Sequence, residues 1–356
     1  MSGGITPCDG PVELAGLTTF CVGGPAGCFV EATTQDDLTD AVRAADASSE
    51  PVFVLSGGSN VLVGDAGFPG TVVHVATQGW GVDETTDDEV SIWAAAGEVT
   101  DALVAACVEE RWAGLEALSG IPGLIGAAPV QNIGAYGAEI AQAVAGVLAW
   151  DRQTGQERYF SADECGFAYR DSVFKQSRPP SQATSRYVVL RVQLRLQRSP
   201  LGRLVAYAEL AQLLGAKLGA QVPLAEMRAA VLELRRGKSM VVQADDPDSH
   251  SAGSFFTNPI LTSQDAARLP QDAPRYPQPG GYVKTSAAWL IEQAGFPKGY
   301  GTGPARLSSK HTLALTNQGG ATAADIVALA RTVQAGVQAH FGVTLEPEPV
   351  LVGVDL

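Results

Sequence analysis

The sequence predicts an α+β protein built from more than one domain, and three features of the chain lead there. The first third alternates short apolar, β-branched runs with helical stretches, the middle is richer in strand patterns of period two, and the last third is helical with Pro- and Gly-rich turns between the helices. At 356 residues the chain has room for two or three domains of roughly 100–200 residues each.

Residues 28–32 read as a strand. Thr34 then caps a helix running to about Ala45, with Asp37 placed three residues on as the reciprocal partner of a capping box. Residues 51–55 are an apolar, β-branched run that enters the turn Ser56-Gly57-Gly58. Strands are expected at 71–75 and 91–95, and a helix at 100–110 with Leu103, Val104, Cys107 and Val108 on one face. Two strands at 147–150 and 158–160 flank Asp151-Arg152-Gln153-Thr154-Gly155, a hairpin turn. In residues 187–196, Val188, Leu190, Val192 and Leu194 alternate with Arg191, Gln193 and Arg195, the pattern of a half-buried strand. Helices are expected at 223–238 and 321–341, with turns over 270–281 and a domain boundary near Lys238.

Composition narrows the function. With 46% hydrophobic and 17% charged residues the chain can bury a large core, and its 40 glycines suit a backbone that comes close to a ligand. A net charge of −14 without a basic patch argues against nucleic acid or an anionic membrane as partner. No run of about 18 apolar residues predicts a membrane span, and Met1 to Gly10 lacks a secretory pattern, so a cytoplasmic protein is expected. The five cysteines form no C-x-x-C pair; reduced thiols and no metal are expected. No exposed apolar seam is visible, which favours a monomer.

Three segments are hard to explain by folding alone. In Leu55-Ser56-Gly57-Gly58-Ser59-Asn60-Val61-Leu62, small residues after a strand can aim N–H groups at a phosphate, although an ordinary tight turn explains them equally well. The run from Gly114 to Gly137 is apolar yet crowded with Gly and Pro, so it is neither a regular helix nor a central strand. Its backbone must be satisfied somewhere, either within an inter-domain loop or against a flat ligand rich in donors and acceptors. The third, Tyr169-Arg170-Asp171-Ser172-Val173-Phe174-Lys175, read alone is a surface ion-pair turn.

These three segments occur in order with Gly253-Ser254-Phe255-Phe256-Thr257-Asn258-Pro259 and Leu345-Glu346-Pro347-Glu348. The five together resemble the UDP-N-acetylenolpyruvoylglucosamine reductases from about Thr18 to Val352. The resemblance implies a two-part FAD-binding domain of the vanillyl-alcohol-oxidase (PCMH) type and a smaller α/β substrate-binding domain. Its implied boundaries are 1–69 and 70–237 for the FAD-binding parts, with the tail 342–356 returning to the active site, and 238–341 for the substrate domain. It also implies non-covalent FAD, NADPH as reductant, and reduction of UDP-N-acetylglucosamine enolpyruvate to UDP-N-acetylmuramate.

By the same resemblance Gly57, Gly58, Ser59 and Asn60 meet the FAD pyrophosphate. Ile121, Pro122, Gly123, Gly126, Ala127, Gln131, Asn132 and Gly134 wrap its ring and ribityl chain. Ala127 and Ala128 stand where relatives often have Ser or Gly. No His lies between Leu55 and Gly70 to attach flavin, and His74 is expected to be packed in a strand. Arg170 matches the arginine that supports charge developing on the substrate carboxylate, a task its planar fork suits. Glu348 matches the glutamate near that group, which must be protonated or hydrogen-bonded to it; Glu346 is the competing candidate. Ser254 matches the residue that donates a proton to C2.

Tyr169, Tyr207, Arg235, Lys238, Asn258 and His311 are the implied substrate-binding residues. Lys238 meets the UDP diphosphate, and Tyr207 lies on a loop that closes over the sugar nucleotide. These cations offset the acidic field around an anionic ligand. Arg236 reads as structural, and Asp245, Asp246 and Asp248 as a solvated loop. A sugar-alcohol oxidase of the same flavin fold would leave Arg235, Lys238 and Tyr207 idle. A nucleotide-sugar-binding protein without chemistry would have no use for Ser254 or Glu348.

Overall fold

The computed structural model describes residues 11–356. The absent leader pattern in Met1 to Gly10 and the thiol of Cys8 fall outside the described residues. The chain divides into two compact units. Beyond Val12, one holds Ala26–Gly58 and Phe68–Val241, the other Glu13–Pro25, Ser59–Gly67 and Val242–Leu356.

The first unit opens with a parallel three-stranded sheet in the order Ala26–Ala32, Phe68–Val75, Val52–Leu55. The helix Gln35–Ser48 carries the chain from the first of these strands to Val52–Leu55 at the opposite edge, keeping the two outer strands parallel, and buries Leu38, Ala41, Val42 and Ala45. The expected capping box is present. Asp37 N–H donates to Thr34 Oγ1 at 3.1 Å, and Thr34 N–H donates to Asp37 Oδ2 at 3.0 Å. His74 stacks on Phe29 within this sheet, with ring centroids 6.0 Å apart, as a packed side chain.

An antiparallel sheet follows, ordered Gln156–Ser161, Val144–Asp151, Tyr187–Arg198, Glu89–Ala95, Trp80–Thr85, with Trp112–Ala113 paired to the end of Tyr187–Arg198. The predicted alternation holds from Arg191 onward. Before it, Tyr187 to Leu190 are buried on both faces, because Tyr187 packs edge-on against Phe160 and Phe174. One core, including Val73, Ile92, Leu103, Val147, Phe160 and Val192, runs under both sheets. A smaller cluster of Val205, Leu210, Met227 and Val231 joins the short helix Ala208–Leu213 to the helix Leu224–Gly237. The short helix was not foreseen from the sequence; its six residues hold their form through this packing.

The second unit pairs Val61–Val63 in parallel with Val350–Val352, so the C-terminal tail lies beside the strand that follows the glycine turn. The helix Ala323–Phe341 carries a capping box from Thr322 and Asp325. Asp65 adds a second cap, accepting from the N–H groups of Ala323 and Ala324 at 2.7 and 3.0 Å. Phe20, Leu62, Phe255, Leu290, Ile326 and Val333 build its core. The expected solvated acidic loop is only partly so. Asp248 is buried, accepting from Ser309 N–H and from Gln318 Nε2, the latter at 2.9 Å, while Asp246 pairs with Lys310 at 2.9 Å.

Candidate active site

In the first unit the glycine turn after Val52–Leu55 meets the second apolar segment through bare backbone. A Cβ added at Gly57 would stand 2.7 Å from Gly123 Cα, and one at Gly126 would stand 2.5 Å from Ala96 Cβ. Side chains at either position would push the segment off the sheet end. The segment itself forms two short 3-10 turns, Glu116–Leu118 and Ile125–Ala127, and a two-residue hairpin, Gly134–Ala135 with Ala138–Glu139. Much of its backbone is satisfied internally or by the sheet end: Gly126 N–H donates to Ala96 at 2.9 Å, Ile125 N–H to Glu98 at 2.8 Å, and Thr100 N–H to Gly123 at 3.1 Å. At the turn, Ser56 Oγ is buried with no protein partner. A cradle without side chains beside an orphaned hydroxyl fits a dinucleotide cofactor that supplies acceptors there.

Three residues around this segment hold left-handed backbone without being glycine: Asn132 (φ 44°), Tyr136 (φ 50°) and Arg170 (φ 53°). Such strain concentrates where function needs a particular side-chain direction. Asn132 is buried and explains how the loop keeps its shape. Its Nδ2 donates to Glu139 and to the Ala168 carbonyl, both at 2.9 Å, and its Oδ1 accepts from Ala141 N–H at 3.2 Å. Arg170 sits at the tip of the turn between Ala168 and Asp171, where its guanidinium donates to the carbonyls of Asn132 at 3.3 Å and Gly134 at 3.1 Å. Lys175 Nζ in turn donates to the Arg170 carbonyl at 2.8 Å. The segment 169–175 is therefore tied to the loop, where the sequence alone favoured a surface turn. Tyr169 places its ring 5.6 Å from the Arg170 guanidinium.

A second group in this unit gathers around Lys238, which caps the helix Leu224–Gly237. Its Nζ pairs with Glu209 at 2.5 Å and lies 5.9 Å from the Tyr136 ring centroid. Tyr207 meets Tyr136 edge-on at 5.5 Å. Arg235 is half-buried, its Nη2 donates to the Met240 carbonyl at 2.7 Å, and its buried Nε has no protein partner. Burial pushes its basicity below the usual arginine value, and burial likewise raises the Tyr136 phenol to about 12. Arg236 is exposed in the last turn of the same helix. Beside these lies a cavity of about 320 Å³ lined by Glu116, Tyr136, Gln142, Arg203, Ala206 and Met227, among others. Glu116, Tyr136 and Glu209 escaped the sequence reading as site residues, although Tyr136 and Glu116 stand inside the quoted apolar segment.

The second unit holds Ser59, Asn60, Ser254, Asn258, His311 and Glu348. Gly253 has φ +70°, a conformation that favours glycine and turns the chain into Ser254. Phe255 is tied on both sides: its N–H donates to Leu313 and its carbonyl accepts from Glu348 N–H, each at 2.8 Å. Thr257 N–H donates to the Glu346 carbonyl at 3.0 Å, so Ser254 and Glu348 come from two adjacent, paired segments. Glu346 is exposed while Glu348 is half-buried, which separates two candidates that the sequence placed on one face. The Asn60 carbonyl accepts from Val350 N–H at 2.9 Å, at the start of the strand Val350–Val352 that follows Glu348. Asn258 accepts from Ala287 N–H at 2.9 Å, and His311 lies in the turn of the hairpin Ala305–Leu307 with Leu315–Asn317. Among the described residues no cluster of acidic, His and Cys side chains suits a metal, and no helix is long and apolar enough to cross a membrane.

Residues 26–158 match an FAD binding domain, and residues 245–352 match the C-terminal domain of UDP-N-acetylenolpyruvoylglucosamine reductase. The UDP-N-acetylenolpyruvoylglucosamine reductase of Thermobifida fusca is 53% identical, covering 97% of this chain and 98% of its own. That of Salinispora arenicola is 52% identical, with 98% and 96% covered. The crystal structure of the reductase from Thermus caldophilus is similar with a TM-score of 0.67 at 28% identity, spanning 98% of this chain and 100% of that one. The expected fold class, an FAD-binding part of the PCMH type followed by a reductase substrate domain, is borne out.

Proposed function

The chain belongs to the UDP-N-acetylenolpyruvoylglucosamine reductase family, and on that premise we propose how its residues divide the work. It is an FAD- and NADPH-dependent oxidoreductase that reduces UDP-N-acetylglucosamine enolpyruvate to UDP-N-acetylmuramate for peptidoglycan synthesis. The observation that carries the site reading is the bare-backbone approach of Gly57 to Gly123, which joins the glycine turn to the apolar loop beside the unpartnered, buried Ser56 hydroxyl.

When bound, FAD supplies hydride transfer from NADPH to the enolpyruvyl double bond. Gly57, Gly58, Ser59 and Asn60 hold its pyrophosphate; Ile121, Pro122, Gly123, Gly126, Ala127, Gln131, Asn132 and Gly134 hold its ring and ribityl chain, without a covalent link. Arg170 supports the negative charge that develops on the substrate carboxylate. Its orientation is set beforehand by the Asn132 and Gly134 carbonyls, so little reorganisation is needed when charge appears. Ser254 Oγ gives its proton to C2. Glu348 meets the substrate carboxylate, the half-buried acid being better placed than exposed Glu346.

Lys238 anchors the UDP diphosphate, with half-buried Arg235 on the same helix and Tyr207 closing over the sugar nucleotide; the chain is thus of the form that has the tyrosine loop. Tyr169 and His311 complete the substrate contacts. Asn258, whose side-chain oxygen accepts from Ala287 N–H, is a further substrate contact. The enzyme works as a monomer in the cytoplasm, where its nucleotide substrates are made, and serves cell-wall growth, shape and division.

Anaerobic stopped-flow absorbance in the flavin band tests this directly. NADPH should bleach the bound flavin, and colour should return only with the UDP-enolpyruvyl sugar. In Ser254→Ala the bleaching should persist while recovery slows by several orders of magnitude, about 10³-fold or more. Recovery at the wild-type rate would remove Ser254 from the proton transfer. Flavin that ignores NADPH and is recoloured by oxygen after a sugar alcohol has reduced it would instead favour the oxidase.

A further inference from the structure

We propose that Glu209 is an internal counter-anion for Lys238, and that a diphosphate reaches Lys238 only by displacing it. The inference rests on the reading of Lys238 as diphosphate anchor and adds a residue to which no role has been given. Its starting point is the 2.5 Å pair between Glu209 Oε2 and Lys238 Nζ, with the two side chains 41% and 31% exposed. Both groups are therefore within reach of a solute, and the pair is of the exposed kind that water and salt weaken.

Glu209 stands in the first turn of the helix Ala208–Leu213, whose N-cap is Tyr207. The same carboxylate therefore restrains the residue expected to close over substrate. Tyr207 meets Tyr136 edge-on at 5.5 Å, and Tyr136 lies 5.9 Å from Lys238 Nζ, so the four side chains form one contiguous group. A further tie holds the entrance of this segment: Arg203 N–H donates to Glu116 Oε1 at 2.5 Å.

A diphosphate brought to Lys238 places like charge beside Glu209 and offers the ammonium a stronger acceptor. Glu209 must then turn away, and the first turn of a six-residue helix loses a restraint that it cannot replace by its own helicity. Anion binding at Lys238 and release of the Tyr207 segment become one linked event. The observed affinity for diphosphate is the intrinsic affinity reduced by the cost of breaking this pair.

Calorimetric titration of the flavin-loaded enzyme with UDP and with uridine tests the proposal on wild type, Glu209→Gln, Glu209→Ala, Lys238→Met and the double variant Glu209→Gln/Lys238→Met. Both Glu209 variants should bind UDP about two- to fivefold more tightly than wild type, the range open to an exposed ion pair, and uridine equally well. Lys238→Met should bind UDP at least about tenfold more weakly, and Glu209→Gln should bring no gain in that background. If Lys238→Met weakens UDP but neither Glu209 variant strengthens it, the counter-anion is wrong and the anchor stands. A gain from Glu209→Gln that persists without Lys238 also overturns the proposal. Unchanged UDP binding in Lys238→Met removes the anchor itself, and the proposal with it.

Discussion

The N–H of Glu348 donates to the carbonyl of Phe255 at 2.8 Å, one residue beyond Ser254. Two segments about ninety positions apart in sequence thus bring their candidate acids to neighbouring points of one bridged pair, between which Phe255 is buried. The bond is made by main chain, so side-chain changes at position 348 leave it in place. Glu348→Gln should therefore keep the thermal midpoint and the NADPH bleaching rate within about twofold while slowing recovery by substrate about 10²- to 10³-fold. Glu346→Gln, at the exposed position, should recover at close to the wild-type rate. Single-turnover traces of the two variants side by side decide which carboxylate meets the substrate.

Gly57 has no room for a side chain, since its Cβ would lie 2.7 Å from Gly123 Cα. Gly57→Ala should part the turn from the loop, at a stability cost of about 1–3 kcal/mol. FAD affinity should fall at least about tenfold if a lost contact of about 1.4 kcal/mol accompanies the shift. Gly303→Ala meets open space without a left-handed backbone and is the matched control, expected to be neutral. Fluorescence titration of apoenzyme with FAD reads the first effect and urea unfolding the second; equal FAD affinity in Gly57→Ala would sink the cradle reading.

Glu116 is buried at 1% exposure, and its two oxygens accept from Gly114 N–H at 2.7 Å and Arg203 N–H at 2.5 Å. Replacing it with Gln turns an –NH₂ group toward one of these donors. Glu116→Gln should destabilise by about 1–3 kcal/mol, measured by denaturant unfolding at constant FAD. Because the lost tie holds the entrance to the Tyr207 segment, KM for the UDP sugar should rise while the rate of flavin reduction by NADPH stays near wild type. A variant with unaltered stability would show that these two short contacts contribute nothing.

Asp151 is held down to about 2 by Arg186, whose Nε and Nη2 donate to its two oxygens at 2.7 and 2.6 Å. Its folded-state value lies below the ordinary one of about 3.9. A depressed carboxylate contributes stability above the unfolded value that is lost as pH falls through the folded value, here between about pH 4 and pH 2. Urea unfolding across that window should show wild-type stability falling with acid. Asp151→Asn should begin less stable at neutral pH and fall less steeply; parallel slopes for the two proteins would rule out this pair as a source of acid sensitivity.

Short-range rules were enough for several regular elements, though not for the helices Ala208–Leu213 and Ala287–Gln293 or the strand Trp80–Thr85. Thr34 and Asp37 are three residues apart, so their capping box is a local property, and the helix Gln35–Ser48 follows it as expected. Residues 151–155 turn a hairpin whose arms pair from Gly146 with Ser161 to Asp151 with Gln156. Alternation from Arg191 to Leu196 likewise depends only on neighbours in one strand. The expectation weakened at Tyr187–Leu190, where the aromatic residues Phe160 and Phe174 cover a face the pattern left open.

The sequence by itself determined where many of the strands, the Thr34 cap and the irregular glycine segments lie, because each depends on residues a few positions apart. It also supplied, by resemblance, the residue types on which the proposed chemistry rests. Only the tertiary structure decided that Lys238 answers to Glu209, that Asp65 caps a helix beginning at Ala323, that Asp248 is buried, and that Gly57 backs onto Gly123. Each of these joins residues whose separation along the chain encodes nothing about their distance in space. Their meeting is settled by which apolar faces bury together, and the ion pairs and close backbone contacts follow from that packing.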